Sequence, residues 1–469
     1  MTRIMRIASP LRLSFLAALL FGLGGCAVGP AYQRPAAPEP AAFKELQGWV
    51  PAAPADALER GPWWQLFNDP QLNALAEQVD VSNQNVAAAV AAYAQARALV
   101  AQQRASLFPT VTLDGSGARS GARSGTGTTA NNYRLSLGSS WEPDVWGRLR
   151  AGVDAAAASA QASAADLASA RLSAQGELVL DYFSLRSVDA QRVLLADTIA
   201  GYERVLKITQ NRFDAGIIQH SDVYQAETQL ATARSDELTL ARQRAQLEHA
   251  LAVLVGKSPA DFALPVAQWN LTVPDVPVGV PSLLLQRRPD IAAAEREVAI
   301  ANAQIGIARA AYFPSIGLTA SYGSNASRVG DLFNASAAAW SFGLSAAQTL
   351  FNAGATRAAV DAARAGHEAS VARYRQTVLG AFADVEDQLA ATRVLAQQQE
   401  LRRVASAAAD KVEEQVLNRY KAGQVSYSEV VQAQVTALNA RRSLVQVQAD
   451  RQTTAISLIQ SLGGGWHAN

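Results

Sequence analysis

Cys26 is the only thiol in 469 residues, and it is the one side chain placed to take part in covalent chemistry. A lone cysteine forms no disulfide within its chain and no Cys-based metal site, which leaves it as a nucleophile or an attachment point. The four histidines, His220, His249, His367 and His467, are scattered without ligand spacing, so a zinc site is not expected. The chain has no Gly-Lys-Ser/Thr loop to cradle a phosphate, no nucleophile elbow and no His/Glu metal pair. Catalysis therefore has no constellation to act through. Lys plus Arg (41) balances Asp plus Glu (40), which excludes the basic face that nucleic-acid binding needs.

What precedes the cysteine indicates its reaction. Arg3 and Arg6 lead into an apolar run from Leu11 to Leu23, broken only by Arg12, Ser14 and Gly22, the layout of a secretory signal. The run is shorter than the roughly 20 residues that cross a bilayer as a helix. Leu23-Gly24-Gly25-Cys26 resembles the bacterial lipobox, at which residues 1–25 are removed as a signal peptide and the thiol is acylated. A covalent lipid on Cys26 is the only added group expected, and no cofactor or metal is. Ala27 follows the cysteine where an Asp would retain the protein at the inner membrane, so the sorting rule of enteric bacteria directs it to the outer one. Each buried acyl methylene contributes about 0.8 kcal/mol to the anchor.

A second group of polar residues recurs at two matching turns. Asn211-Arg212-Phe213-Asp214-Ala215-Gly216 is answered by Asn418-Arg419-Tyr420-Lys421-Ala422-Gly423, 207 residues later (418 − 211). Gly216 and Gly423 suit the left-handed position just beyond a helix end. Ser221 and Ser428 read as N-caps of the next helices, with Asp222 and Glu429 in their first turns and Arg212 and Arg419 in the last turns of the preceding ones. Capping and dipole compensation alone would account for these charges. The functional alternative is that a ring of such turns constricts the mouth of a helical tube.

The elements that would carry such a ring are long. No proline interrupts Arg148 to Phe213 or Thr356 to Tyr420, and each tract would extend about 100 Å as a continuous helix. Leu195, Ile199, Tyr202, Leu206, Thr209 and Phe213 step by four and three, as do Val431, Val435, Leu438, Arg442 and Val445. That spacing specifies left-handed supercoiling. Alanine-dense stretches such as Ala155 to Ala158 and Ala407 to Ala409 let helices approach closely, side by side.

Ahead of each long tract stand two alternating segments. Thr110 to Asp114 and Tyr133 to Trp141 alternate apolar with polar residues, and so do Ser315 to Tyr322 and Trp340 to Ser345. A soluble hairpin half-buried on a core would show the same alternation. Strands of about ten residues, however, match a bilayer crossing; Tyr133, Trp141, Tyr322 and Trp340 fall toward strand ends, where an aromatic girdle sits; and the connections, Ser116 to Asn132 and Gly323 to Ala339, are Gly/Ser/Ala/Asn-rich. Four strands cannot close a barrel, and lipid offers an open sheet edge no partner. Chains must associate, and two or three would suffice.

The organisation is therefore a duplication. Residues 26–62 form an extended N-terminal segment, 63–263 the first copy, 264–288 a linker and 289–469 the second copy. Strands are expected at about 109–119, 132–144, 314–324 and 338–350, and long helices at about 148–213, 221–255, 355–420 and 428–462. Ahead of the strand pairs, Phe108-Pro109 answers Phe313-Pro314 at an offset of 205 (313 − 108). The fold class expected is an α+β membrane protein built of a repeated helix-strand-strand-helix-helix unit.

Several long motifs occur in order: Gly61-Pro62-Trp63-Trp64-Gln65-Leu66-Phe67-Asn68-Asp69-Pro70-Gln71-Leu72, Ala105 to Pro109, Trp141-Glu142-Pro143-Asp144-Val145-Trp146-Gly147-Arg148, Leu284 to Asp290 and Arg419 to Gly423. Together they resemble the OprM/NodT branch of the TolC-like outer-membrane factors over essentially the whole mature chain. The resemblance implies a homotrimer, with a twelve-stranded outer-membrane β-barrel continuing into a periplasmic α-helical barrel. It also implies a periplasmic adaptor and an inner-membrane RND pump as partners. The function implied is a passive exit duct for small molecules, gated at its periplasmic tip. A duct for type I protein secretion is the transport alternative, and a periplasmic coiled-coil adaptor lipoprotein the alternative of another class. The family's constriction maps onto Ser428 and Gln432, and its latching arginine onto Arg419, with Asp222, Glu429 or Asp214 as the carboxylate partner. Gln432 stands where relatives often carry an acid, so the ring expected here is neutral.

Overall fold

The computed structural model describes residues 28–38, 40, 42–46, 62–121, 129–276 and 287–464. Cys26, the signal peptide and the stretch Leu284 to Gln286 lie outside the described residues. The elements run α1 (Pro70–Ser82), α2 (Gln84–Ala105), β1 (Thr110–Ser120), β2 (Ala130–Trp141), α3 (Arg148–Asp214), α4 (His220–Leu254), α5 (Pro289–Ala310), β3 (Ser315–Ala326), β4 (Ala338–Ala347), α6 (Ala355–Lys421) and α7 (Tyr427–Ser461). Helix-strand-strand-helix-helix thus occurs twice, and α3 and α6 are both unbroken over 67 residues. The chain divides into two compact units.

The first unit comprises Met1–Ala36, Ala92–Ala164 and Ala293–Arg375. Its strands form one antiparallel sheet in the order β1-β2-β3-β4. No strand residue is buried. β2 ends at Trp141, three residues before the expected 144, because Pro143 has no N–H for the ladder and Asp144 instead caps α3. The Asp144 carboxylate accepts from the backbone N–H groups of Leu149 (2.9 Å) and Arg150 (2.8 Å), and these bonds hold its pKa below the usual range despite partial burial. β4 ends at Ala347 instead of 350, and Gln348 Nε2 donates to the carbonyl of Tyr312. The connections are shorter than expected, since β1 runs on to Ser120 and β3 to Ala326. Trp146 stacks on Phe313 at 4.7 Å and donates to Pro314 O at 2.7 Å, fastening the two strand pairs at their helical ends.

The N-terminal thread lies along α5 in the opposite direction. Gly29 backs onto Gly306, where a Cβ would come within 2.9 Å of the Gly306 Cα. Asn302 donates to Pro30 O at 3.0 Å, and Tyr32 to Glu295 at 3.2 Å. Burial, reinforced by Glu295, pushes the Tyr32 phenol up to about 12.

The second unit comprises Ala37–Ala91, Ala165–Ala292 and Gln376–Asn469. Its apolar cluster is built on the α3 seam, with Leu195 and Tyr202 buried against Leu230, Ala233, Leu240 and Leu438. The second seam is displaced. Of its members only Leu438 is buried, and the buried line of α7 runs through Tyr427, Val430, Gln434 and Ala437. Tyr427 and Val430 pack with Val205, Ala226 and Tyr420, which rotates that face inward.

The Trp-Trp motif forms a plug. Trp63, Trp64 and Phe67 are buried, Phe67 lies 4.8 Å from Phe183, and Asp69 caps α1 through Gln71 N and Leu72 N while accepting from Tyr182 Oη at 2.6 Å. Buried Arg186 donates to Gln71 Oε1, Pro265 O and Asp189, and Arg244 reaches Asp189, Glu248 and Leu264 O. Arg288 joins Asp290, Asp384 and Ser461 O, tying the start of α5 to α6 and to the end of α7.

Asp181 on α3 sits half-buried one turn from Glu177, and burial followed by the Glu177 charge raises its pKa to about 6. A carboxyl that titrates higher folded than unfolded contributes a penalty that appears as pH rises through about 4 to 6 and is complete above that window. Asp181→Asn should therefore raise the melting temperature at pH 7.5 by about 2–4 °C, water screening the rest of the penalty. The gain should vanish below pH 4. Helical circular dichroism against temperature at both pH values checks it.

Candidate functional site

The sheet register assigns every strand residue to one of two faces. Leu113 pairs with Leu137, which pairs with Tyr322, which pairs with Trp340. Following the pleat, one face collects Val111, Leu113, Tyr133, Leu135, Leu137 and Trp141 from the first copy. From the second copy the same face takes Ile316, Leu318, Tyr322, Trp340, Phe342 and Leu344. The other face collects Thr112, Asp114, Ser116, Arg134, Ser136, Thr319, Ser321, Ser341 and Ser345, with Ser321 and Ser341 hydroxyls 2.9 Å apart. Trp340, Leu113 and Leu344 are 78%, 71% and 70% exposed. A sheet that is apolar on one side and polar on the other, with neither side covered by its own chain, suits lipid on one side and water on the other. All four expected girdle aromatics, Tyr133, Trp141, Tyr322 and Trp340, lie on the apolar face; Trp141 also donates to Leu107 O at 2.9 Å.

The turns form the other candidate. Gly216 (φ +71°) and Gly423 (φ +74°) close α3 and α6 with matching bonds, Ile217 N to Arg212 O and Gln424 N to Arg419 O, each 2.9 Å. A left-handed residue there is easiest for glycine. The next helices begin earlier than expected. α4 starts at His220 after Gln219, and α7 at Tyr427 after Ser426, so Ser221 and Ser428 are already inside their helices and are not caps. The Ser426-x-x-Glu429 spacing explains the second case, because the Glu429 carboxylate accepts from the Ser426 N–H (3.3 Å) and hydroxyl (3.4 Å).

Arg212 and Arg419 occupy matching positions but do different things. Arg212 Nη1 donates to Tyr420 O at 2.7 Å, and its guanidinium lies over the Tyr420 ring at 4.6 Å. Buried Tyr420 also approaches Thr209 (3.4 Å) and Tyr427 (5.6 Å between rings). The two copies are thus joined at their turns by an arginine–carbonyl clamp that sequence spacing does not announce. Arg419 is exposed and reaches no carboxylate of its own chain among the described residues. Asp214 accepts from Gln210 at 2.9 Å. Asp222 is half-buried, and Gln432 points outward from α7. On the first-copy turn, His220 is packed between Phe213 and Tyr224 at 4.5 and 4.2 Å.

The outer membrane efflux protein model matches the chain twice, over residues 75–257 and 280–464. This protein belongs to the outer membrane efflux protein family. Among its relatives, the antibiotic efflux pump outer membrane protein ArpC of Pseudomonas putida is 34% identical over 461 residues, covering 96% of this chain and 95% of the relative. The cation efflux system protein CusC of Escherichia coli O6:H1 is 32% identical over 448 residues, covering 95% and 96%. The solved outer-membrane channel OprN superposes with a TM-score of 0.85 at 29% identity, over 94% of this chain and all of that one. This outer membrane efflux protein is therefore the outer-membrane channel of an efflux pump, with a periplasmic helical part, and not an enzyme. The two-faced sheet is its membrane segment.

Proposed function

We propose that three copies of this chain form a homotrimeric exit duct, a twelve-stranded barrel above a helical tunnel. In this reading the duct receives small molecules from an inner-membrane RND pump through a periplasmic adaptor. The observation that carries association is the sheet of four strands whose outer strands, β1 and β4, have no further strand partner among the described residues, and the family resemblance sets the number of copies at three. Lipid leaves such edges only one remedy, pairing with further copies, and the duplication supplies a pseudo-six-fold wall from three chains.

The gate in this proposal is the set of turns. Arg212 holds the turn of the second copy from the first within each chain. By the repeat, Arg419 stands as Arg212 does, so it reaches the first-copy turn of the neighbouring subunit, where Asp214 and Asp222 supply negative charge. Gln432, with Ser428 and Glu429 nearby, forms a constriction without net repulsion among its three symmetric amides. Gly216 and Gly423 supply the bends, and acylated Cys26 anchors the chain to outer-membrane lipid.

Deleting the gene should lower the minimum inhibitory concentration of pump substrates at least fourfold and raise their accumulation in cells. In-cell crosslinking should capture the adaptor on α4 or α7. Unchanged susceptibility with loss of one secreted polypeptide would overturn the efflux reading in favour of protein secretion.

A further inference from the structure

At the helical end of the second strand pair lies a groove of about 500 Å³ lined by Arg309, Arg357, Arg364, Asp361, Tyr312 and Phe313, with Val28 of the N-terminal thread at its side. Three guanidinium groups face a single carboxylate. Asp361 is shared between Arg357 (3.8 Å) and Arg364 (3.4 Å), both of which stay largely in solvent, at 84% and 52% side-chain exposure. Arg309, at the end of α5, has no carboxylate partner among the described residues.

The duplication makes this surplus meaningful. By the 207 and 205 offsets, Arg357 answers Arg150, Asp361 answers Asp154 and Arg309 answers Arg104. In the first copy Arg150 is neutralised by Asp144, its Nε 3.1 Å from that carboxylate. The position answering Asp144 is Phe351, and the one answering Ala157 is Arg364. The second copy has thus lost one carboxylate, at Phe351, and gained one guanidinium, at Arg364. The first-copy set is electrically balanced, whereas the second carries two uncompensated positive charges. Leu350 and Phe351, between β4 and α6, are 90% and 88% exposed, a pair of apolar side chains where the first copy has Pro143 and Asp144.

We infer that this groove binds the phosphate of an anionic phospholipid from the periplasmic leaflet of the outer membrane, one per chain. Guanidinium forks match phosphate oxygens in pairs. The groove lies where the membrane strands give way to helices, at the depth of lipid headgroups. Tyr312 and Phe313 give the headgroup an aromatic floor. Val28 of the N-terminal thread closes one side of the groove. The site therefore fixes barrel height and azimuth in the leaflet.

The test uses the full-length oligomer, delipidated in detergent and titrated with phosphatidylglycerol, phosphatidylcholine or inorganic phosphate, with bound lipid counted by native mass spectrometry. The wild type should hold one phosphatidylglycerol per chain in preference to phosphatidylcholine. Each arginine contributes on the order of fivefold. The triple variant R309A/R357A/R364A should weaken binding at least about tenfold. Phe351→Asp, which restores the carboxylate of the first copy and leaves the arginines in place, should do likewise while the oligomer stays heat-resistant. Phosphatidylglycerol binding that survives in both variants would overturn the proposal. So would inorganic phosphate displacing the lipid at equal concentration, which would mark a free-anion site only.

Discussion

Leu113→Arg should abolish the heat-resistant oligomer, whereas Thr112→Arg, one residue away and at the same depth, should leave it intact. Leu113 belongs to the apolar face of the sheet and pairs with Leu137, so an arginine there meets hydrocarbon at a cost of about 2–4 kcal/mol near mid-membrane. The cost recurs in every subunit of the proposed trimer. Thr112 lies on the polar face opposite Gly138, its hydroxyl 3.1 Å from Asp114. An arginine at that position gains a carboxylate neighbour in water and should alter conductance, not assembly. Semi-native gel electrophoresis of outer-membrane extracts reads both. Loss of the oligomer in both variants, or in neither, would mean that the two faces are wrongly assigned.

Arg212→Ala combined with Arg419→Ala should raise single-channel conductance in planar bilayers several-fold, and should sensitise cells to large antibiotics that normally cannot enter. A charge-assisted hydrogen bond such as that from Arg212 to the Tyr420 carbonyl contributes about 1.5–3 kcal/mol, and a cation–π contact about 0.5–2 kcal/mol more. Summed over the turns of a ring, these are enough to move a closed–open balance by orders of magnitude. Each single variant should give a partial rise, because the Arg212 clamp acts within a chain and the proposed Arg419 contact acts between chains. A double variant no more conductive than the wild type would remove these arginines from the gate.

The strands, the long helices and the duplication were legible because each leaves a periodic trace: period two in the sheet, proline-free tracts in α3 and α6, and one offset linking the copies. The family was legible from motifs whose structural purposes are now visible, such as the Trp63-Trp64-Phe67 plug and the Asp144 cap. The start of α7 differs from expectation because two serines compete there. Ser428 looked like the cap beside Glu429, but the box closes from Ser426, three residues before the glutamate. α1 leaves one strong start signal, Asp69-Pro70, inside the longer Trp-Trp motif. The Arg212–Tyr420 clamp has no trace in spacing, since its partners are 208 residues apart and one of them is a backbone carbonyl. The shift of the second seam came from the same tertiary source, tyrosines packing around that clamp.

The open edges of β1 and β4 also bear on how the protein comes into being. A single chain has no membrane-inserted state of its own in which all backbone groups are satisfied, so insertion and association must form one kinetic event. Its rate depends on how many chains meet at one place before any of them is degraded. Scarcity, more than weak packing, is then the hazard this channel faces during biogenesis, and the acyl anchor proposed on Cys26 would raise the odds of that encounter by confining newly exported chains to one surface.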